Sequence, residues 1–146
     1  MKSHAAAFII ALLNCSGTMA QSNDLTLTAP TIVILHDRST EVAKHGSDSQ
    51  FAKFSADFEA NARRMAAALK QHPEIAVVYS SAAKVSFEQP ATKPVRREDI
   101  VTHWGYIFYR PGAAPVVYAG VVADGYLVCQ AEKFFAVKFE GFKCGA

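Results

Sequence analysis

Where an apolar run ends, three consecutive residues carry the types that acid–base work or anion binding needs: His36, Asp37 and Arg38. His36 would act as a base or ligand, with Asp37 orienting its ring. The same tripeptide serves equally as a strand-to-loop turn in which Asp37 bonds nearby amides. A position at the carboxyl end of a strand favours ligand binding in open α/β sheets. His45, His72, His103 and Asp48 add further metal-ligand types, but no H-x-x-x-H or H-E-x-x-H spacing joins any of them to His36 or Asp37. No metal and no cofactor is therefore expected. His72, just before Pro73, reads as a helix-end residue interacting with the last carbonyls.

Nucleophilic chemistry finds little support. Gly46-Ser47-Asp48-Ser49 lacks the second glycine of a G-x-S-x-G elbow, and Ser47 with Gln50 fits a helix capping box instead. No phosphate loop of the G-x-x-x-x-G-K-[ST] kind is present. Among the cysteines, Cys129 and Cys144 would close a loop of about 15 residues, worth roughly 3 kcal/mol in the chain-entropy model. That bond would pin an apolar tail containing Phe135, Val137, Phe139 and Phe142. The competing reading is two separate thiols, one of them buried.

The elements that must position these residues start with Thr31 to Leu35, a β-branched run that predicts a buried strand. Phe51, Phe54, Phe58, Met65 and Leu69 then recur on one face of a helix, which reaches about Gln71 before Pro73 stops it. Lys53/Asp57 and Glu59/Arg63 stand at i,i+4 on its outer face. Ile75 to Tyr79 is a second strand, so a right-handed βαβ unit is expected. Val85 to Phe87 extends that strand or begins another. Gln89 to Pro94 reads as an exposed connection, and Asp99 to His103 as a short helical turn.

Tyr106 to Tyr109 and Val116 to Tyr118, separated by a loop containing Pro111-Gly112, predict an antiparallel hairpin. Alternation puts Trp104, Tyr106 and Phe108 on one face and Tyr109 on the other, where with Arg110 it would form a Tyr/Arg-rich contact surface or simply a half-exposed strand. Residues 126–140 fit either period. A helix over about Leu127 to Phe135 with an extended tail is the favoured reading.

Composition narrows the class. The chain has 146 residues, with fifteen Lys and Arg against thirteen Asp and Glu. The only dense basic spot, Lys93, Arg96 and Arg97, runs directly into Glu98 and Asp99 and reads as a solvated loop. Nucleic acid is excluded as a partner on that balance. Residues 1–20 have the form of an export signal: Lys2, an apolar stretch from Ala5 to Leu13, and a small-x-Ala site at Ala20. That stretch is far short of the about 20 residues a membrane span needs, so no transmembrane segment is expected. Leu12-Leu13-Asn14-Cys15 resembles a lipobox with Asn where a small residue belongs, leaving a lipoprotein form through Cys15 as the lesser reading. Residues 21–30 read as a flexible lead-in and 31–146 as one domain. An oxidising compartment, periplasmic or extracellular, suits the disulfide.

Strand, helix, strand, connection, hairpin and last helix, with Tyr106-Ile-Phe-Tyr-Arg-Pro-Gly running into Val116-Val-Tyr-Ala-Gly, is an order that resembles the thioredoxin fold over about Thr31 to Ala136. The resemblance implies an α/β class, with α+β as the alternative. It also implies a C-x-x-C pair after the first central strand, where this chain has His36 to Thr40, and a cis-proline before the hairpin, where it has His103-Trp104-Gly105. The expectation is a small exported binding or interaction protein without catalysis, of the immunity or inhibitor type, with a protein partner. The alternative is a thioredoxin-superfamily redox protein, or another small enzyme, with a displaced or lost thiol site.

Overall fold

The computed structural model describes residues 24–36, 49–100 and 104–145. The α/β class holds: two helices and two mixed sheets. The strands are β1 (Asp24–Leu27), β2 (Thr31–Leu35), β3 (Ala76–Ser80), β4 (Lys84–Phe87), β5 (Val95–Arg96), β6 (Gly105–Tyr109) and β7 (Val116–Ala119). Helix α1 (Ser49–Leu69) joins β2 to β3, and α2 (Asp124–Phe135) follows β7.

The main sheet has the order β3-β2-β6-β7, with β2 parallel to β3 and antiparallel to β6. Every residue of β2 and β6 is buried, because both faces of these central strands are covered. On one face Ile32, Ile34, Tyr106 and Phe108 meet Phe58, Met65 and Leu69 of α1, and Leu127, Val128 and Ala131 of α2. On the other, Val33, Leu35, Ile107 and Tyr109 meet Leu27, Val85, Phe87 and Ile100. The cover there is a small three-stranded sheet of order β1-β4-β5. The layers are thus helices, main sheet, small sheet.

Several expectations are corrected. Residues 24–27, expected in a flexible lead-in, form β1, pair in parallel with β4 and bury Leu27. Val85 to Phe87 belongs to this separate sheet. Arg97, expected in a solvated loop, donates from its guanidinium to the carbonyls of Ala82 at 3.2 Å and Ser80 at 3.0 Å. The helical turn expected from Asp99 falls at Arg97–Asp99 instead, and residues 101–103 lie outside the described set. Phe54, expected to face the core, is 45% exposed. It lies about 40° around the helix from Phe58, on the side away from β3, whereas Ser55 on the opposite side is fully buried. The side chain of Phe51 and the cap residue Ser47 lie outside the described set.

The hairpin forms as expected, and its turn uses Gly112 at φ 88°, a left-handed conformation that costs glycine nothing. Gly105 answers a different need. A Cβ there would come within 2.6 Å of the Tyr118 carbonyl oxygen on β7, so only glycine lets the two strands meet.

Helix is the outcome over 124–135, and the tail is tied down beyond it. Cys129 and Cys144 form a disulfide with Cα atoms 5.2 Å apart. Phe139 is buried, and its amide donates to Glu132 at 2.8 Å. Gln71 exchanges two hydrogen bonds with the Glu140 backbone. His72, expected to cap its own helix, instead donates from Nε2 to the Lys138 carbonyl and packs edge-on against Phe139.

Candidate functional site

Parallel β2 and β3 with α1 crossing between them bring the start of α1 to the carboxyl end of β2. His36 is the first residue past that strand and half-buried. Its ring lies against Phe58 (centroids 5.1 Å apart) and edge-on to Trp104 (5.7 Å). Both imidazole nitrogens face α1. Nε2 is hydrogen-bonded to Ser55 Oγ at 3.4 Å, and Nδ1 lies 3.7 Å from Glu59 Oε1. Ser55 and Glu59 sit one turn apart on the helix, so one edge of α1 grips the ring from two sides.

This arrangement has the outline of a Ser–His–Glu relay, but Ser55 is fully buried in mid-helix. A substrate carbonyl has no approach to its hydroxyl, and a nucleophile must reach the reacting carbon. The contacts orient His36.

Glu59 forms no ion pair with Arg63. The sequence places the two as an i,i+4 ion pair; the structure pairs Glu59 with His36 and leaves the Arg63 guanidinium without an ion pair or hydrogen bond among the described residues. The analogous Lys53–Asp57 pair does form, at 3.2 Å. Arg63 then stands at the rim of a pocket of about 410 Å³ between α1 and β3, lined by His36, Phe58, Glu59, Ala62, Arg63 and Tyr79. Tyr79 is 56% exposed on the edge strand β3. Partial burial raises its phenol pKa, the Arg63 charge lowers it and the Glu59 charge raises it. The net direction is upward, so the phenol remains a hydrogen-bond donor at neutral pH.

Tyr79, Ile34, Tyr106 and Tyr118 form one cross-strand row on the helix-facing side. Tyr106 at its centre is fully buried, and its hydroxyl has no hydrogen-bond partner among the described residues. Burial pushes its pKa far above the usual value, with Tyr79 and Asp124 adding to the rise. Tyr118 is raised as well, chiefly by burial, and its hydroxyl donates to Gln130 at 3.5 Å.

The sequence-derived residues that are described, His36, Tyr109 and Arg110, do not share one site. His36 lies in the pocket. Asp37, Arg38 and His103 lie outside the described residues. Tyr109, expected on a contact surface, is fully buried against the small sheet; its hydroxyl donates to the Gln89 carbonyl at 2.6 Å and accepts from the Gln89 amide at 3.2 Å. It pairs with Thr31, four residues from the Leu35–Gly105 pair beside His36, or about 13 Å along the strands. Arg110 is exposed at that far end, stacked 5.4 Å over Phe134 and donating from Nε to the Phe134 carbonyl at 2.8 Å.

Sequence reasoning missed Ser55, Glu59, Arg63 and Tyr79 as a group. The available signal was the i, i+4, i+8 spacing of Ser55, Glu59 and Arg63, which aligns them along one helix edge. Cys129 and Cys144 are joined, so neither is a free thiol. Among the described residues no group of three His, Cys, Asp or Glu is placed to hold a metal ion, and no helix is long and apolar enough to cross a membrane. No protein-family model matches this chain, and no curated protein or solved structure shows significant similarity to it.

Proposed function

We propose that this is a small exported protein that binds a protein partner without catalysis, on a thioredoxin-like α/β scaffold. Its contact is the end of the molecule around the His36–Arg63–Tyr79 pocket. The carrying observation is the pairing of Glu59 with His36, which leaves a guanidinium and a half-exposed phenol at the mouth of a pocket with apolar walls. Arg and Tyr at a concave site are the side chains that anchor interfaces, because each offers large contact area with directed hydrogen bonds. The order βαβ, hairpin, helix supports the scaffold reading, and the Cys129–Cys144 bond is compatible with an oxidising compartment. An immunity- or inhibitor-type role fits a protein whose Ser55 hydroxyl is sealed in mid-helix and whose Cys129 and Cys144 are joined.

The test is an affinity capture from the native compartment with wild type, Arg63→Glu and Tyr79→Ala side by side. Both positions are exposed, so the fold should tolerate the changes. One stoichiometric partner should be retained by wild type and lost by both variants. No stoichiometric partner on wild type, or equal retention by all three, would overturn the proposal.

A further inference from the structure

We infer that the pocket between α1 and β3 recognises a carboxylate carried on an apolar body. This deepens the preceding proposal and rests on its assignment of the pocket as the contact site. Three features fix the ligand chemistry. Arg63 brings a planar fork of donors, without an ion pair among the described residues, that matches a carboxylate bidentately. Tyr79 brings a phenol held in its protonated, donating form beside that guanidinium. The exposed ring of Tyr79 and the aliphatic stem of Arg63 give the pocket apolar walls above the buried Phe58 and Ala62, and such walls take the body of a ligand whose polar end is held at the rim.

Glu59 supplies the exclusion. Its carboxylate lies one helical turn from Arg63 and faces the same pocket, so a second negative charge on the ligand would meet it. A monocarboxylate directs its single charge to Arg63 and its apolar part away from Glu59. A phosphate or a short dicarboxylate cannot avoid the repulsion. The carboxylate can belong to a free small acid or to the carboxyl terminus of a peptide chain, and the two sources are separable by experiment.

The full chain is titrated, by calorimetry and by NMR shift perturbation, with phenylacetate and its neutral analogue phenylacetamide. A Gly-Phe dipeptide acetylated at its amino end is then tested as the free acid and as the carboxamide. Saturable binding of phenylacetate but not phenylacetamide assigns a free small acid. Binding of the dipeptide acid alone assigns a peptide terminus. In either case Arg63→Gln should weaken binding by about tenfold or more, as expected for a charged hydrogen-bonded contact. Arg63→Lys should recover only part of it, because it restores charge without the fork. Tyr79→Phe should weaken binding about threefold to tenfold, and Glu59→Gln should admit succinate, which wild type rejects. Absence of binding by both acids overturns the inference. So do equal binding of acid and amide, and binding unchanged in Arg63→Gln. If capture of the protein partner still depends on Arg63 and Tyr79 when these acids fail, the contact site stands and only the carboxylate specificity falls.

Discussion

Tyr106 and Tyr109 lie three residues apart on one strand, both fully buried, and they point into opposite layers of the molecule. Tyr109 enters the layer capped by the small sheet, where the Gln89 backbone satisfies its hydroxyl as donor and acceptor. Tyr106 enters the helix layer, under Phe58 at a centroid distance of 5.0 Å, and its hydroxyl finds no partner among the described residues. The small-sheet face is thus a closed piece of packing. The helix face carries an unspent polar group and, along its β3 edge, the pocket. The same sheet is sealed on one side and borders a pocket on the other.

Truncation of large core side chains gives the strongest test of that contrast. Phe58→Ala should cost about 3–5 kcal/mol, because it empties the centre of the helix layer. Phe87→Ala should fall near the low end, about 3 kcal/mol, since it sits at the margin of short strands. Urea denaturation of both variants measures the difference, and a Phe87→Ala loss exceeding that of Phe58→Ala would reverse the ranking of the two faces. Next in size is the tail latch on the helix face. Replacing Cys129 and Cys144 by serine should lower stability by about 3 kcal/mol in the chain-entropy model. Hydrogen exchange should also rise at the Phe139 and Glu140 amides, which the tail contacts protect. Unchanged protection would mean that His72, Gln71 and Glu132 hold the tail unaided.

The two tyrosines are then compared directly. Tyr109→Phe strands the Gln89 amide and carbonyl and should cost about 1–3 kcal/mol. Tyr106→Phe removes a hydroxyl that lacks a partner and should be neutral or stabilising by about 1 kcal/mol. If thermal unfolding shows Tyr106→Phe to be as damaging as Tyr109→Phe, the hydroxyl has a partner and the contrast collapses. The smallest effect at ordinary pH comes from titration. Tyr79, Tyr106 and Tyr118 all have raised pKa values in the fold, so the native state holds protons that the unfolded chain releases near pH 10. Their contribution is intact below that pH and is lost as pH rises through the folded values. Stability followed by circular dichroism against tyrosinate absorbance should fall above pH 10, less steeply in Tyr106→Phe.

The helix face was legible in the sequence and the small-sheet face was not. A helix of 21 residues repeats its apolar side several times, so Phe58, Met65 and Leu69 announce α1. By contrast, β1, β4 and β5 have four, four and two residues, too few for a period to emerge from chance. Leu25 and Leu27 alternate within a polar stretch, and nothing local says that they will pair with Val85 and Phe87 far along the chain. Tyr109 was misplaced for the same reason: alternation gave its face correctly, but the cover on that face was invisible, so the side chain looked exposed. Cys129–Cys144 was readable because cysteine count and spacing are non-periodic signals. His36 was singled out as a candidate by its place after β2, and it lines the pocket. Its partners Ser55 and Glu59 were hidden because on the helix wheel they look like a core edge and a surface ion pair.

The close approach of β6 and β7 at Gly105 bears on how this protein can vary in evolution. At the rim of the pocket Arg63 and Tyr79 are exposed and have room to be replaced. Position 105 has no such freedom, because any side chain would collide with the Tyr118 carbonyl. Among descendants of the same ancestor the glycine should persist even where Arg63 and Tyr79 have been exchanged. A glycine opening the hairpin, followed by alternating large apolar residues, is thus the mark by which distant kin would be recognised, whatever has become of the pocket.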